Sequence, residues 1–423
     1  MKNYNVLVFP GGTETGLEIH KALKDCRGIS LFSTGQNYSN HATVVFKKQF
    51  ILDIYQENWL EKLNEIIEKY HIDCIYPSHP DVVLKLAENA THLKAMAVIS
   101  PLKTCRIARS KLQTYNLFEG IVPIPEIYET PDSVDEYPVF VKPDRGAGSF
   151  GTRICNNRKE LDCAVKQCED ALILEYLPGK EYTIDCLSDR NQGLLFCNGR
   201  ERVRIKHEIA MNSKLSHNPV FLEYAKKISA RLEFYGAWFF QVKKDKTGTY
   251  KLMEIEPRIA GTMALNRVTG VNFPLFSIWE QQRKPFRILT NDLEIIIDRA
   301  IVNTYKSNLK FNTVYLDLDD SLINRGKVDL NLIRFVFDCI NKRKKIILLT
   351  KHRRDLQNKL KKHRINSLFD NIIHLKRDEH KSDYITAKKS IFIDDSFNER
   401  QEVAQKKGIP TFDCSMMEMF YRE

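Results

Sequence analysis

The sequence has no long apolar run and no paired-cysteine pattern. No stretch approaches the ~20 apolar residues that a membrane-spanning helix needs, and residues 1–12 are a short apolar run into a glycine turn, unlike a cleavable signal. The ten cysteines are scattered without metal-site spacing, which argues against a disulfide framework and a cysteine-rich zinc site. We therefore expect a cytoplasmic protein with reduced thiols and no membrane partner.

The chain also lacks internal repeats, low-complexity linkers and a nucleic-acid-binding motif. At 423 residues it is too long for one hydrophobic core, so about two to four domains are expected. The net charge of +11 favours an anionic partner. The basic runs at 342–345 and 359–364 have no interleaved aromatic residues, so we interpret them as solvated helix faces and do not expect nucleic acid as a partner.

Strand and helix signals alternate along most of the chain, which is typical of parallel sheets covered by helices. A helical pattern over residues 106–118 separates the first alternating series from a region rich in strand runs. A new series begins at residue 313. We predict an α/β and α+β multidomain protein with a Rossmann-like N-terminal domain at 1–104, a central domain at 105–303 and a Rossmann-like C-terminal domain at 304–423.

Residues 137–152, YPVFVKPDRGAGSFGT, join a buried strand that ends in Lys142 to a glycine-rich loop. Glycines let backbone N–H groups approach phosphate oxygens, and the lysine supplies positive charge. The loop is not a Walker A loop, because no GK[ST] opens a helix. The segment therefore favours triphosphate binding, although a glycine loop alone is weak evidence.

Glu254 and Glu256 stand two residues apart on a predicted strand, so their side chains point to the same face. With Arg258 adjacent and Gln241 on the partner strand, they are candidate ligands for Mg²⁺ and phosphate. A solvent-facing strand edge would explain the two glutamates equally well. The order of the motifs along the chain decides between these interpretations.

A lysine before a glycine loop, then a Glu-x-Leu strand, then an E-x-E-P-R strand resembles the ATP-grasp superfamily over about residues 1–300. The likeness is to its carbamoyl-phosphate-synthetase-like and biotin-carboxylase-like branch, and it implies a pre-ATP-grasp domain before the ATP-grasp fold. One departure is Glu256, where many members have asparagine. The resemblance implies ATP binding by Lys111, Lys142, Gly146, Gly148, Ser149 and Gly151, adenine contacts at Glu175 and Leu177, a ribose contact at Glu181, metal ligands Gln241, Glu254 and Glu256, and a γ-phosphate contact at Arg258.

The same resemblance implies an ADP-forming ligase that activates a carboxylate as an acyl phosphate and transfers it to an amine. Amino acids are candidate substrates. Arg202, Arg204 and Lys206 alternate on one predicted strand and are candidates for gripping an anionic substrate, or are simply a basic edge strand. A small-molecule kinase remains an alternative, because ATP-grasp folds also phosphorylate without ligation.

Residues 313–322, TVYLDLDDSL, place Asp317 and Asp319 at the end of a hydrophobic strand, where ligand sites of open α/β sheets form. Two such carboxylates can divide the roles of nucleophile and acid/base. Thr350, Lys381 and the pair Asp394-Asp395 follow in order at further strand ends or helix starts.

This D-x-D-x-[ST]…T…K…DD series resembles the haloacid dehalogenase (HAD) superfamily over about residues 310–423. The resemblance implies that Asp317 is the nucleophile and Asp319 the acid/base. It further implies that Thr350 and Lys381 bind the phosphoryl group, with Lys376 as the weaker alternative to Lys381, and that Asp394 and Asp395 hold Mg²⁺ with Asp317. About 30 residues separate Ser321 from Thr350, so we predict a capless HAD-like domain.

Together these features predict an ATP-dependent carboxylate–amine ligase coupled to Mg²⁺-dependent phosphomonoester hydrolysis. The expected ligands are ATP, Mg²⁺ at both sites with Mn²⁺ as an alternative, a small carboxylate, an amine and a phosphorylated substrate. The alternatives are a kinase with a phosphatase domain and a phosphatase that processes nucleic-acid ends. A homodimer is left open.

Overall fold

The computed structural model describes residues 4–146, 151–206 and 209–421. The chain divides into two compact units, Met1–Ile301 and Val302–Glu423. In the described residues, no helix is long and apolar enough to span a bilayer. The ten cysteines are free thiols.

The first unit begins with a parallel sheet of strand order β3-β2-β1-β4-β5. Alternate residues of its central strand β1 pack on opposite faces: Val6 and Val8 lie in one apolar core, and Leu7 and Phe9 lie in another. Helices cover both faces, as a parallel sheet requires. The elements are β1 (Tyr4–Phe9), α1 (Glu14–Leu23), β2 (Ile29–Gly35), α2 (Ala42–Val45), β3 (Gln49–Ile51), α3 (Trp59–Tyr70), β4 (Cys74–Pro77), α4 (Pro80–Glu88) and β5 (Met96–Ala97).

Two antiparallel sheets complete the first unit, with strand orders β6-β9-β7-β8 and β14-β13-β10-β11-β12-β15 in its described part. Their elements are α5 (Leu102–Arg109), α6 (Lys111–Phe118), β6 (Ile127–Tyr128), β7 (Val139–Pro143), β8 (Arg153–Cys155), α7 (Arg158–Gln167), β9 (Ala171–Glu175), β10 (Glu181–Asp189), β11 (Gly193–Lys206), β12 (Ile209–Ser216), α8 (Pro219–Ser229), β13 (Gly236–Lys244), β14 (Tyr250–Glu256), α9 (Ala264–Arg267), α10 (Phe273–Gln281) and β15 (Ile296–Asp298).

The single helix predicted over residues 106–118 was wrong, because the chain breaks between α5 and α6. Ser110 has an extended ψ of 119° and caps α6 by accepting a hydrogen bond from the Gln113 backbone N–H. Its hydroxyl also donates to Asp144 Oδ1, 2.9 Å away. The apolar spacing is continuous through the break, so only a contact distant in sequence distinguishes two helices from one.

The second unit is built on a parallel sheet of order β20-β19-β16-β21-β22 in the described residues. Val314 and Leu316 of its central strand face one apolar core, and Tyr315 faces the other. Between β16 and β19 the described chain forms only a two-stranded hairpin and one helix. The elements are β16 (Thr313–Leu316), β17 (Ile323–Asn324), β18 (Lys327–Val328), α11 (Leu330–Asn341), β19 (Lys345–Thr350), α12 (Leu356–Lys362), β20 (Asn371–His374), β21 (Ser390–Ile393), α13 (Phe397–Lys407) and β22 (Thr411–Phe412).

Candidate functional site

Strand β7 delivers Lys142 into the interior of the first unit, where its side chain is buried. Its Nζ donates hydrogen bonds to Tyr115 Oη at 2.7 Å and to the Met253 carbonyl at 3.4 Å. Burial, aided by the charge of Lys111, lowers the pKa of Lys142 to about 7. This lysine therefore stands close to its protonation midpoint at neutral pH, and a nearby anion would favour the charged form.

Lys111 is the first residue of α6, and its Nζ donates to the carbonyls of Asp144 and Gly146 at 3.1 and 3.4 Å. It therefore lies at the base of the glycine-rich loop. Gly151, at the far end of the loop, has a positive φ of 75° that favours glycine. Gly148 and Ser149, also predicted to bind ATP, lie outside the described residues.

The predicted metal ligands occupy neighbouring strands β13 and β14. Gln241 pairs across the strands with Glu254, and Phe239 pairs with Glu256. Glu256 is buried and accepts a 3.0 Å hydrogen bond from Arg258 Nε. Burial raises the pKa of Glu256, although the Arg258 charge opposes this. Side-chain oxygens in this arrangement suit a hard cation such as Mg²⁺.

The predicted nucleoside contacts follow β9. Glu175, its last residue, lies 3.5 Å from Lys251 Nζ, and Leu177 is buried. Glu181 opens β10 and forms an ion pair with Arg202. Arg202 Nη1 also donates to Gln241 Oε1 at 3.2 Å, so this arginine links Glu181, the predicted ribose contact, to Gln241, a predicted metal ligand.

A polar cleft of about 210 Å³ lies beside these strands in the described structure. It reaches Gln241 and Arg258, so it adjoins the predicted phosphate machinery. Four guanidinium groups line it, from residues Arg200, Arg202, Arg258 and Arg299. The cleft is therefore a basic concave surface next to the residues predicted to contact the γ-phosphate and the metal.

In the second unit, β16 and β21 end side by side and bring Asp317 next to Asp394. Lys381, which begins a 3-10 helix at Lys381–Tyr384, donates to both carboxylates at 2.6 Å. Burial raises the pKa of Asp317 despite the neighbouring ammonium group. The two carboxylates and the lysine are almost fully buried, which is unusual for charged groups without a function.

Asp319 is held by two basic side chains that sequence reasoning missed. His352 Nδ1 and Lys359 Nζ lie 2.6 and 2.5 Å from its two carboxylate oxygens. Partial burial opposes ionisation, but these hydrogen bonds lower the pKa of Asp319. His352 follows Thr350 by two residues, and this proximity to a predicted site residue was the one available signal.

Two further observations concern ligands of this second site. The Thr350 hydroxyl is fully buried yet has no hydrogen-bond partner among the described residues, so it can accept or donate a bond to a ligand. Carboxylate oxygens of Asp317, Asp394 and Asp395 all lie within 4.8 Å of one another. Two buried carboxylates and the exposed carboxylate of Asp395 form a set of oxygen ligands that fits Mg²⁺ or Mn²⁺. Lys376 has an exposed side chain, whereas Lys381 is buried.

Comparison with known proteins identifies the fold of the first unit. A family described as "ATP-grasp in the biosynthetic pathway with Ter operon" matches residues 167–294. The crystal structure of N5-carboxyaminoimidazole ribonucleotide synthetase in complex with ADP aligns with a TM-score of 0.57, covering 69% of this chain and 80% of that chain at 15% identity. The first unit has an ATP-grasp fold. The strands that carry Lys142, Glu254 and Glu256 are thus strands of an ATP-grasp protein.

Curated relatives match at moderate identity. The 3-methyl-D-ornithine–L-lysine ligase of Methanosarcina mazei is 26% identical over 189 residues, which are 42% of this chain and 48% of that protein. The D-alanine–D-alanine ligase of Fusobacterium nucleatum is 25% identical over 194 residues, 45% of this chain and 62% of that protein. The chain therefore spans less than two thirds of the length of either ligase.

The ATP-grasp unit also contains site residues that the motif order did not reveal. Arg109 donates to Asp81 Oδ1 at 2.7 Å and to the Gly146 carbonyl at 3.3 Å, so it ties the N-terminal sheet to the glycine loop. Tyr115 supports Lys142, and Arg299 reaches the cleft from beyond the last predicted motif. Each is separated from its partner by tens of residues, and no local pattern marks it.

We expect the affinity of the ATP-grasp unit for MgATP to weaken as the pH rises through about 7. If Lys142 contacts the phosphates as predicted, they would favour its protonated form. Because its pKa is about 7 without them, binding above that pH would then take up a proton. Calorimetry at pH 6 to 8.5, in buffers of different ionisation enthalpy, measures this uptake. A Lys142→Gln variant serves as the control, and equal proton uptake by that variant would contradict the assignment.

Proposed function

We propose that the ATP-grasp unit is an ADP-forming ligase that joins a carboxylate to an amine through an acyl phosphate. The observation that carries the proposal is a buried lysine that donates to the strand of the paired glutamates, next to Gln241 and Arg258, which line a basic cleft. In such a site catalysis rests on positioning and on neutralising phosphate charge. The two curated relatives are named as ligases of amino acids, which supports small amino acids as substrates.

In the proposed reaction, a carboxylate oxygen of the substrate attacks the γ-phosphorus of ATP and ADP leaves. The amine then attacks the acyl carbon, a proton is lost, and phosphate leaves as the amide forms. Lys111 and Lys142 would hold the phosphates and Arg258 the transferred group. Gln241, Glu254 and Glu256 would hold Mg²⁺, which when bound neutralises phosphate charge; Mn²⁺ is the alternative.

We further propose that the second unit is a HAD-type phosphomonoesterase whose substrate or product is linked to the ligase reaction. Asp317 would attack phosphorus and form an aspartyl phosphate as the ester oxygen leaves with a proton from Asp319. Water, losing a proton to Asp319, would then attack phosphorus, release phosphate and regenerate Asp317. Thr350 and Lys381 would hold the phosphoryl oxygens, and the orphaned hydroxyl of buried Thr350 supports this role. Asp317, Asp394 and Asp395 fit Mg²⁺, which when bound neutralises the charge that the carboxylates and phosphate share.

The ratio of free phosphate to ADP tests the proposal. An Asp317→Asn variant would be incubated with MgATP and pooled amino acids and carboxylates, so that the second unit cannot release phosphate. Equal amounts of ADP and free phosphate support the ligase, because the acyl phosphate is consumed by the amine. ADP without free phosphate would overturn it in favour of a kinase.

A further inference from the structure

Among the described residues that line the cleft of the ATP-grasp unit, one arginine has no ion-pair partner. Three of its four arginines are ion-paired. Arg200 lies 2.9 Å from Asp185, while Arg202 pairs with Glu181 and Arg258 pairs with Glu256. In buried or half-buried pairs of this kind, the carboxylate neutralises the charge of the arginine without a ligand. The fourth arginine, Arg299, differs from them.

Arg299 follows β15, and its backbone N–H is fixed by a 2.7 Å bond to the Met211 carbonyl. Its guanidinium group makes no ion pair and no hydrogen bond with any residue in the described ranges. The group is half-buried, and burial lowers its pKa, although the more distant charges of Glu14 and Glu18 oppose this. A bound anion would compensate for the interactions with water that this cation loses through burial.

Within the cleft, Arg299 lies beside Gly261 and Glu14. A Cβ atom placed on Gly261 would lie 3.6 Å from Arg299 Nη2 and 3.6 Å from Glu14 Cβ. Arg299 and Glu14 therefore both border Gly261 in the lining of the cleft. The charged groups that shift its pKa are Glu14, Glu18 and Arg200. Arg258, the predicted γ-phosphate contact, is not one of them.

A guanidinium group binds a carboxylate through two parallel hydrogen bonds, which adds orientation to affinity. In an amide-forming reaction the activated carboxylate is consumed, so a carboxylate held elsewhere in the cleft belongs to the other substrate. We propose that Arg299 binds the unreacting carboxylate of the amine-bearing substrate, which is therefore an amino acid and not a simple amine. This inference rests on the proposed ligase function.

The test pairs a protein change with a substrate change. The amine donor that gives the fastest ADP release would be compared with its carboxamide analogue, in the unaltered protein and in Arg299→Gln. We expect Arg299→Gln to raise the KM for the amino acid about 10- to 100-fold, the range for a charge-assisted hydrogen bond. The KM for the amide should stay unchanged, as should that for ATP, because neither contacts Arg299.

Arg299→Lys keeps the charge and should recover part of the affinity, which separates recognition from misfolding. Arg287→Gln, at an exposed arginine earlier in the same connection, is the matched control and should behave as the unaltered protein. Equal effects of Arg299→Gln on acid and amide, or none on either while ADP still forms, would overturn the inference and leave the ligase standing. No ADP from any pool would overturn the ligase proposal and this inference with it.

Discussion

Replacing Asp317 by asparagine is expected to abolish phosphomonoester hydrolysis by the second unit while leaving the protein folded. Asparagine has nearly the same shape but no charged oxygen to attack phosphorus. Loss of a covalent nucleophile costs about 10³-fold or more in kcat. The assay is release of phosphate from a generic substrate such as p-nitrophenyl phosphate in the presence of Mg²⁺.

The stability of the Asp317→Asn variant provides an independent check. Burial raises the pKa of Asp317, so its contribution to stability is largest below the unfolded pKa and is lost as the pH rises through the folded value. Asparagine has no charge, so it does not lose stability as the pH rises. Lys381 still donates a hydrogen bond to Asp394 in the variant. We expect Tm at pH 8 to be unchanged or higher than in the unaltered protein. The control is Asp338→Asn, which removes an exposed ion pair with Lys342. If the Asp317→Asn variant still hydrolysed the phosphomonoester, Asp317 could not be the nucleophile.

The second large effect is expected from Arg258→Gln in the ATP-grasp unit. Arg258 lies in the cleft, donates to Glu256 and stands 5.2 Å from the Phe239 ring centroid, so its guanidinium is fixed before substrate binds. Removing one preorganised donor to a transferring group costs about 10²- to 10³-fold in kcat. We therefore expect ADP formation to fall by that factor, with a much smaller change in the KM for ATP.

A matched control distinguishes catalysis from the loss of a buried ion pair. Arg190 forms a similar pair with fully buried Glu280, 2.6 Å away, and Glu280 does not line the cleft. Arg190→Gln should therefore lower the free energy of unfolding without a selective loss of kcat. If both variants lose activity in proportion to their Tm, Arg258 has a structural role only.

Sequence reasoning located the strands that end in charged residues. The strands Thr313–Leu316 and Ser390–Ile393 each have three consecutive hydrophobic residues followed at once by an aspartate, and burial on both faces explains that pattern. Lys142, Glu254 and Glu256 were likewise predicted on strands, where the structure has them. The roles given to these residues remain predictions, since the relatives define the fold and not the site.

The contacts that complete both sites could not be read from the sequence. Lys359 reaches Asp319 across 40 positions, and it was interpreted as part of a solvated basic run. Arg299 was assigned no role, because its place in the cleft depends on the pairing of β15 with β12. Hydrophobic periodicity determines which face of an element is buried, but not which distant side chain approaches a charged group.

The position of Lys381 between two carboxylates stabilises the arrangement of the second site. Its ammonium group lies 2.6 Å from both Asp317 and Asp394, whose negative charges would otherwise repel each other inside the protein. The lysine thus acts as a built-in counter-ion, so the carboxylates stay assembled independently of the supply of divalent cations in the cell. If the second unit has the proposed activity, removal of the divalent cation should therefore abolish hydrolysis without unfolding the unit.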